Sequence, residues 1–139
     1  MVNKLYLDNF YINNIQQEVS NLNFNYVAQD NEYKDSIFQY VHNVHYDGTP
    51  LVDPILKIAK EKLNIKWATR IKVNKLLPQK ASEEQVQHLW HQDKINKGYI
   101  SLIYYVNDSD GDTVVGGYKN TPKAGEMIYF DSDLFHRPS

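Results

Sequence analysis

The chain has 139 residues, no cysteine and a formal net charge of −2, with 42% hydrophobic and 13% aromatic residues. This length accommodates one domain with a hydrophobic core, residues 1–139, and the weak charge without a Lys/Arg cluster disfavours nucleic acid as a partner. The lack of cysteine excludes a disulfide, a thiolate zinc site, an iron–sulfur cluster and a cysteine nucleophile, so any metal must be bound by His, Asp or Glu.

An amphipathic helix is predicted over about residues 12–22. Apolar residues recur at intervals of three and four between Ile12 and Leu22, a spacing that places side chains on one face of a helix. Asn13 or Asn14 stands near the predicted start, and asparagine is a common N-cap residue.

A second helix is predicted over about residues 54–63. Asp53 is suited to the N-cap and Pro54 to the first helical position, where a missing N–H has no cost. Ile55, Leu56 and the apolar residues that follow form a stripe on one face of this helix.

From Trp67 onward the pattern changes to the period-two alternation of strands. Ile71, Val73 and Lys75 fall on one face of the first of these segments. Short segments rich in β-branched and aromatic residues follow, each bounded by Gly, Asn, Asp or Pro. We therefore expect a mostly antiparallel β barrel over about 67–139, preceded by the two helices, as in a jelly roll.

One pair of residues has the spacing of metal ligands. His91 and Asp93 are separated by one residue, which on a strand directs both side chains to the same face. His136, at the end of another predicted strand, offers a third ligand. Two histidines and one carboxylate form a facial triad that leaves coordination positions open, which is typical of iron sites for oxygen chemistry.

Other candidate sites are weaker. His45 and Asp47 have the same spacing as the first pair, but Asp-Gly and Thr-Pro steps around them predict a loop. His88 alternates with its neighbours so that it faces away from His91, which indicates a structural role. The acidic run 108–112 lacks the later glycine and glutamate of a calcium loop and is predicted to be a hairpin turn.

The segments "WHQD", "ISLIYYVNDSDGDT" and "TPKAGEMIYFDSDLFH" together resemble the core of the 2-oxoglutarate and Fe(II)-dependent oxygenases of the prolyl 4-hydroxylase-like kind. The resemblance covers about residues 71–136 and lies in the order and spacing of the motifs. It implies a double-stranded β-helix in which His91, Asp93 and His136 bind Fe(II). It also implies that Tyr105 contacts the far carboxylate of 2-oxoglutarate.

The resemblance further implies a reaction and its participants. The chain is expected to be a dioxygenase that uses O2 and 2-oxoglutarate, with ascorbate as a further cofactor, to hydroxylate a peptide or small molecule. A cytoplasmic location is expected because no apolar run reaches the about 20 residues of a membrane span and no signal-peptide pattern is present. Two rivals stay open: a non-catalytic, cupin-like metal or small-molecule binding protein, and a structural protein with incidental His and Asp residues.

One feature of that family is missing from the sequence. Its members hold the far carboxylate with an Arg or Lys on the strand after the distal histidine, and this chain ends at Ser139. Arg137 and Lys72 are the candidate substitutes, although Arg137 should face away from its neighbour His136. We expect a barrel truncated at its C-terminus, whose exposed strand edge would favour a homodimer.

Overall fold

A computed structural model describes residues 2–23, 25–27, 39–42, 50–65, 68, 71, 73–76, 92–93 and 98–138. The elements in these ranges, in chain order, are β1 (Asn3–Tyr6), α1 (Asn9–Ser20), β2 (Asn25–Val27), β3 (Gln39–His42), a 3₁₀ turn (Pro50–Val52), α2 (Asp53–Leu63), β4 (Val73–Leu76), β5 (Ile100–Tyr104), β6 (Thr113–Val115), β7 (Tyr118–Asn120), β8 (Glu126–Asp131) and β9 (His136–Pro138). The described part is mostly antiparallel β with two helices, as expected. No helix in these ranges is long and apolar enough to span a membrane.

The described strands form three antiparallel sheets of three strands each. Their orders are β1-β8-β5, β2-β3-β4 and β7-β6-β9, and they do not close into a barrel within the described ranges. Three strands, β1, β2 and β3, precede residue 67, in a part of the chain for which only helices were predicted. β1 is short and its partner β8 lies more than a hundred residues away, so only the tertiary fold defines it as a strand.

Helix α1 begins earlier than predicted. Its N-cap is Asp8, whose side chain accepts a hydrogen bond from the Phe10 backbone N–H at 3.0 Å. Asp8 satisfies a donor that the first helical turn leaves unpaired, so the helix starts at Asn9 rather than near Asn13. The apolar stripe behind the prediction does face the core, where Ile15 is buried.

Helix α2 matches its prediction to within one residue. It covers Asp53–Leu63, so Asp53 is the first helical residue and the N-cap is Val52, which makes no side-chain cap hydrogen bond. The preceding 3₁₀ turn, Pro50–Val52, runs directly into the helix and explains the displaced start. Asn64 ends the helix in the left-handed conformation, a common way to terminate a helix.

Two apolar clusters lie on opposite faces of the β1-β8-β5 sheet. The outer cluster packs this sheet against the helices and contains buried Leu7, Ile15, Leu51 and Met127, with partly buried residues that include Ile71, Val73, Leu102 and Tyr104. The inner cluster contains Tyr105, Val115, Ile128 and Phe130. Because Val115 belongs to β6, the inner cluster joins the β1-β8-β5 sheet to the β7-β6-β9 sheet.

The acidic run 108–112 connects two different sheets, and the prediction of a hairpin turn was wrong. β5 pairs with β8, whereas β6 pairs with β7 and β9. The run is held by its own side chains: Asp108 Oδ1 accepts from the Ala124 backbone N–H, and Asp112 Oδ1 accepts from Thr121 Oγ1, each at 2.8 Å. The tight turn is instead the one between β6 and β7, where Gly116 has a positive φ of 55°.

Candidate metal centre

Two of the three predicted metal ligands lie side by side. His136 Nε2 is 3.4 Å from Asp93 Oδ2, although the residues are distant in sequence. Two ligand atoms at right angles on a first-row ion, each about 2.1 Å from it, are about 3.0 Å apart. The observed pair is close to that separation. The third predicted ligand, His91, lies outside the described residues, as do Lys72, His88 and the alternative pair His45 and Asp47.

The turn between β8 and β9 brings the two residues together. The Asp93 backbone N–H donates to the Ser132 carbonyl at 3.1 Å, and the Gln92 side-chain amide donates to the Asp133 carbonyl. The Ser132 backbone N–H donates to the Tyr99 carbonyl at 3.0 Å, which ties the turn to the start of β5. Asp93 is therefore attached to the segment that leads into His136.

The imidazole of His136 is buried and oriented. Its residue is 5% exposed, and its ring meets that of Phe130 at 4.9 Å between centroids in an edge-to-face contact. Nδ1 lies 3.0 Å from the Leu134 carbonyl oxygen. A carbonyl oxygen can only accept, so Nδ1 carries the proton, and in the neutral ring Nε2 keeps its lone pair toward Asp93. Histidines that bind metals commonly have this arrangement.

The Asp93 carboxylate is partly open to solvent and partly held by hydroxyl groups. Its side chain is 39% exposed. Ser101 Oγ donates to Asp93 Oδ2, and Ser101 Oγ lies 2.9 Å from Ser132 Oγ. Both serines are buried, at 9% and 3% exposure. The carboxylate thus has an oriented inner side and a side that a metal or ligand can reach.

The donor set fits a divalent first-row metal. An imidazole nitrogen and a carboxylate oxygen suit Fe(II), Zn(II) or Mn(II) better than a soft ion, which prefers sulfur. The described residues contain no group of three or more potential ligands. A triad at this position therefore requires a further residue from outside them, and His91, two residues before Asp93, is the predicted one.

A second polar cluster lies at the other end of the same inner face. The Tyr105 hydroxyl donates to Thr113 Oγ1 at 2.7 Å. Asn120 Nδ2 donates to Glu126 Oε1 at 2.8 Å, and Lys4 Nζ lies 3.5 Å from Glu126 Oε2. All of these except Lys4 are at most 9% exposed. We call Lys4, Tyr105, Thr113, Asn120 and Glu126 the distal polar cluster.

Electrostatics in the distal polar cluster follow from burial and from Glu126. Burial raises the pKa of the Tyr105 hydroxyl, while hydrogen bonds with the Thr113 and Asn120 side chains oppose the shift. Burial lowers the pKa of Lys4, but the Glu126 carboxylate, Tyr118 and Tyr6 together outweigh it, so the net shift is upward. Lys4 therefore stays protonated and balances the buried carboxylate.

The tyrosine alternation predicted from the strand pattern is confirmed. Tyr105 packs in the inner cluster and Tyr104 against the outer one. Arg137 is paired with Val114 in the β6–β9 ladder and His136 with Val115, so the two neighbours face opposite ways, as predicted. The cosubstrate contacts predicted for Tyr105 and Arg137 stay predictions.

Ser101, Ser132 and Glu126 were missed from the sequence. Ser101 shares its strand face with Ile103 and Tyr105, and a hydroxyl in an otherwise inward-facing apolar row is a signal that the residue bonds to something buried. Ser132 lies in a turn and carried no such signal.

Comparison of the chain with protein-family models, curated proteins and solved structures finds no match in any of the three.

Proposed function

We propose that this chain is an Fe(II)- and 2-oxoglutarate-dependent dioxygenase that hydroxylates a peptide or small molecule, with His91, Asp93 and His136 as the iron ligands. The observation that carries the proposal is the 3.4 Å approach of His136 Nε2 to Asp93 Oδ2, with Nδ1 bound to the Leu134 carbonyl. A buried imidazole with one nitrogen held by a carbonyl and the other aimed at a carboxylate is suited to metal binding.

The surroundings of the pair support an open site rather than a closed structural one. Iron, when bound, would supply the activation of O2 and the oxidising power of the reaction. The protein's own residues would orient the ligands and keep water from part of the site: Phe130 covers one side of the His136 ring, and the exposed part of Asp93 leaves room for a cosubstrate.

A jelly roll is part of the proposal. Two of the described sheets face each other across the inner cluster, which contains Tyr105 and Ile128 from one side and Val115 from the other. Two antiparallel sheets packed face to face are the basic arrangement of a jelly roll. The Asp93–His136 pair lies at one end of this inner face, where a double-stranded β-helix enzyme would have its metal.

The contacts to the far carboxylate of 2-oxoglutarate are proposed for Tyr105, with Lys72 or Arg137 as the cation. Tyr105 has one hydroxyl proton, and that proton is donated to Thr113. A carboxylate ligand would therefore have to replace Thr113 as the acceptor.

A second candidate function is favoured by one specific observation. The carboxylate of Glu126 lies in the distal polar cluster with Tyr105, which is expected to contact a carboxylate of 2-oxoglutarate, and repulsion between the two carboxylates would weaken 2-oxoglutarate binding. The alternative is a non-catalytic metal or small-molecule binding protein of the same architecture. On this alternative, wild-type protein binds metal without binding 2-oxoglutarate.

The experiment that tests the dioxygenase proposal measures succinate. Metal-free protein is reconstituted with Fe(II) without oxygen and then mixed with 2-oxoglutarate, ascorbate and air. Even without the primary substrate, we expect slow succinate formation that is lost in His136→Ala and retained in His45→Ala. Metal binding without any succinate or 2-oxoglutarate binding would replace the dioxygenase with the second candidate.

A further inference from the structure

The carboxylate of Asp93 is held by a chain of two buried hydroxyl groups. Ser101 Oγ donates to Asp93 Oδ2, and Ser132 Oγ lies 2.9 Å from Ser101 Oγ. An ionised carboxylate can only accept, so the single proton of Ser101 goes to Asp93. The proton between the two serines must then come from Ser132. The hydroxyls form a directed relay from Ser132 through Ser101 to the carboxylate.

The relay is attached to rigid backbone at both ends. Ser101 lies in β5, opposite Phe130 of β8 in the antiparallel ladder. The Ser132 backbone carbonyl accepts from the Asp93 N–H, and its own N–H donates to the Tyr99 carbonyl. Ser132 thus holds the Asp93 backbone directly and its side chain through Ser101. This double attachment fixes both the position of Asp93 and the direction of its carboxylate.

The oxygen that Ser101 contacts is also the one that faces His136. Asp93 Oδ2 accepts from Ser101 and is 3.4 Å from His136 Nε2. The hydroxyl therefore determines how the carboxylate is turned relative to the imidazole. Removing the Ser101 hydroxyl removes a hydrogen bond to the carboxylate oxygen that faces the imidazole.

We propose that Ser101 and Ser132 are positioning residues for the metal ligand Asp93, and that the relay sets the affinity of the site for a divalent cation. The inference rests on the proposed metal site but not on oxygenase activity. Hydrogen bonds to ligating carboxylates and histidines typically contribute 10- to 100-fold in metal affinity. Ser101 contacts the carboxylate itself, so its loss should matter more than that of Ser132.

The test is a titration of metal-free, full-length protein with Co(II), followed by its visible absorption bands. Ser101→Ala is expected to weaken Co(II) binding by about 10- to 100-fold and to shift the bands. Ser101→Thr, which keeps the hydroxyl, should restore both. Ser132→Ala should cause a smaller loss, because Ser101 can still donate. Ser20→Ala, at an exposed serine on α1, is the matched control and should bind as wild type does.

The outcomes separate this inference from the function proposed above. If wild-type protein binds Co(II) and Ser101→Ala binds it equally well with unchanged bands, the relay has no positioning role and the inference is wrong. If Ser101→Ala does not fold, Ser132→Ala replaces it in the test. Co(II) affinity and visible bands equal to those of wild type in Ser132→Ala would then show that the inference is wrong. If the relay variants lose affinity but wild-type protein forms no succinate, the inference holds and the dioxygenase proposal fails. If wild-type protein binds no Co(II), both are wrong.

Discussion

Tyr104 and Tyr105 are adjacent, yet replacing each with Phe is predicted to change stability in opposite directions. The hydroxyl oxygen of Tyr104 is buried without a hydrogen-bond partner in the described part of the chain. The hydroxyl of Tyr105 donates to Thr113 at 2.7 Å. Removing the first hydroxyl removes an unsatisfied polar group, whereas removing the second leaves Thr113 without its donor.

The magnitudes follow from the cost of an unsatisfied group. A buried polar group without a partner costs about 1–3 kcal/mol. Tyr104 is only partly buried as a residue, so Tyr104→Phe should raise the free energy of unfolding by about 1 kcal/mol, at the low end of that range. Tyr105→Phe loses the hydrogen bond to the buried Thr113 side chain and should lower the free energy of unfolding by about 1–2 kcal/mol.

Urea denaturation, followed by tryptophan fluorescence and by circular dichroism, measures both changes. With an m-value of about 2 kcal/mol per molar, Tyr104→Phe should move the midpoint up by about half a molar and Tyr105→Phe should move it down by at least as much. The m-values should not change, because neither variant alters the surface buried. A loss of stability in Tyr104→Phe equal to that in Tyr105→Phe would refute the assignment of the two hydroxyls.

Three further predictions concern the fold. Burial raises the pKa of both the Tyr104 and the Tyr105 hydroxyl. The stability that depends on their protonated forms is complete below the ordinary tyrosine pKa and is lost as the pH rises through the raised pKa values. The decline in the urea midpoint between pH 9 and 11 should therefore be shallower in Tyr104→Phe than in wild type. Gly125 has a φ of 87°, and an added Cβ would lie 2.4 Å from Ile12 Cδ1. Gly125→Ala should therefore destabilise the fold by about 2–4 kcal/mol. Gly117 has open space around it, so the control Gly117→Ala should change the melting temperature little. Asp8→Ala should cost about 1 kcal/mol in urea denaturation through loss of the α1 cap, and Asp8→Asn should cost much less.

The boundaries of a helix were predicted well from the sequence where residues inside the helix determine them. The apolar stripe and Pro54 located α2 to within one residue, because both signals act inside the helix. The start of α1 was placed too late because Asp8 precedes the apolar pattern and caps the helix from outside it. Local chemistry thus determined these boundaries, and the error arose from choosing the wrong capping residue.

Strand pairing was predicted less well, since alternation says that a segment is a strand but not which sheet it joins. The acidic run 108–112 was expected to close a hairpin, yet it joins two sheets, and β1 is defined by its pairing with β8. At the site, the resemblance implied that Asp93 and His136 lie near each other, and His136 Nε2 is 3.4 Å from Asp93 Oδ2, whereas their role as metal ligands stays a prediction. The Leu134 carbonyl and the serine relay depend on how the turn after β8 folds, which no local pattern encodes.

The central claim is that His91, Asp93 and His136 bind one metal ion together. Its most direct test is an anaerobic Fe(II) titration of the metal-free wild-type chain and of single alanine variants, with circular dichroism to verify that each is folded. We predict one ion per wild-type chain and per His45→Ala chain, and no tight binding in His91→Ala, Asp93→Ala or His136→Ala. Loss of binding in His45→Ala together with retention in His91→Ala would contradict the claim.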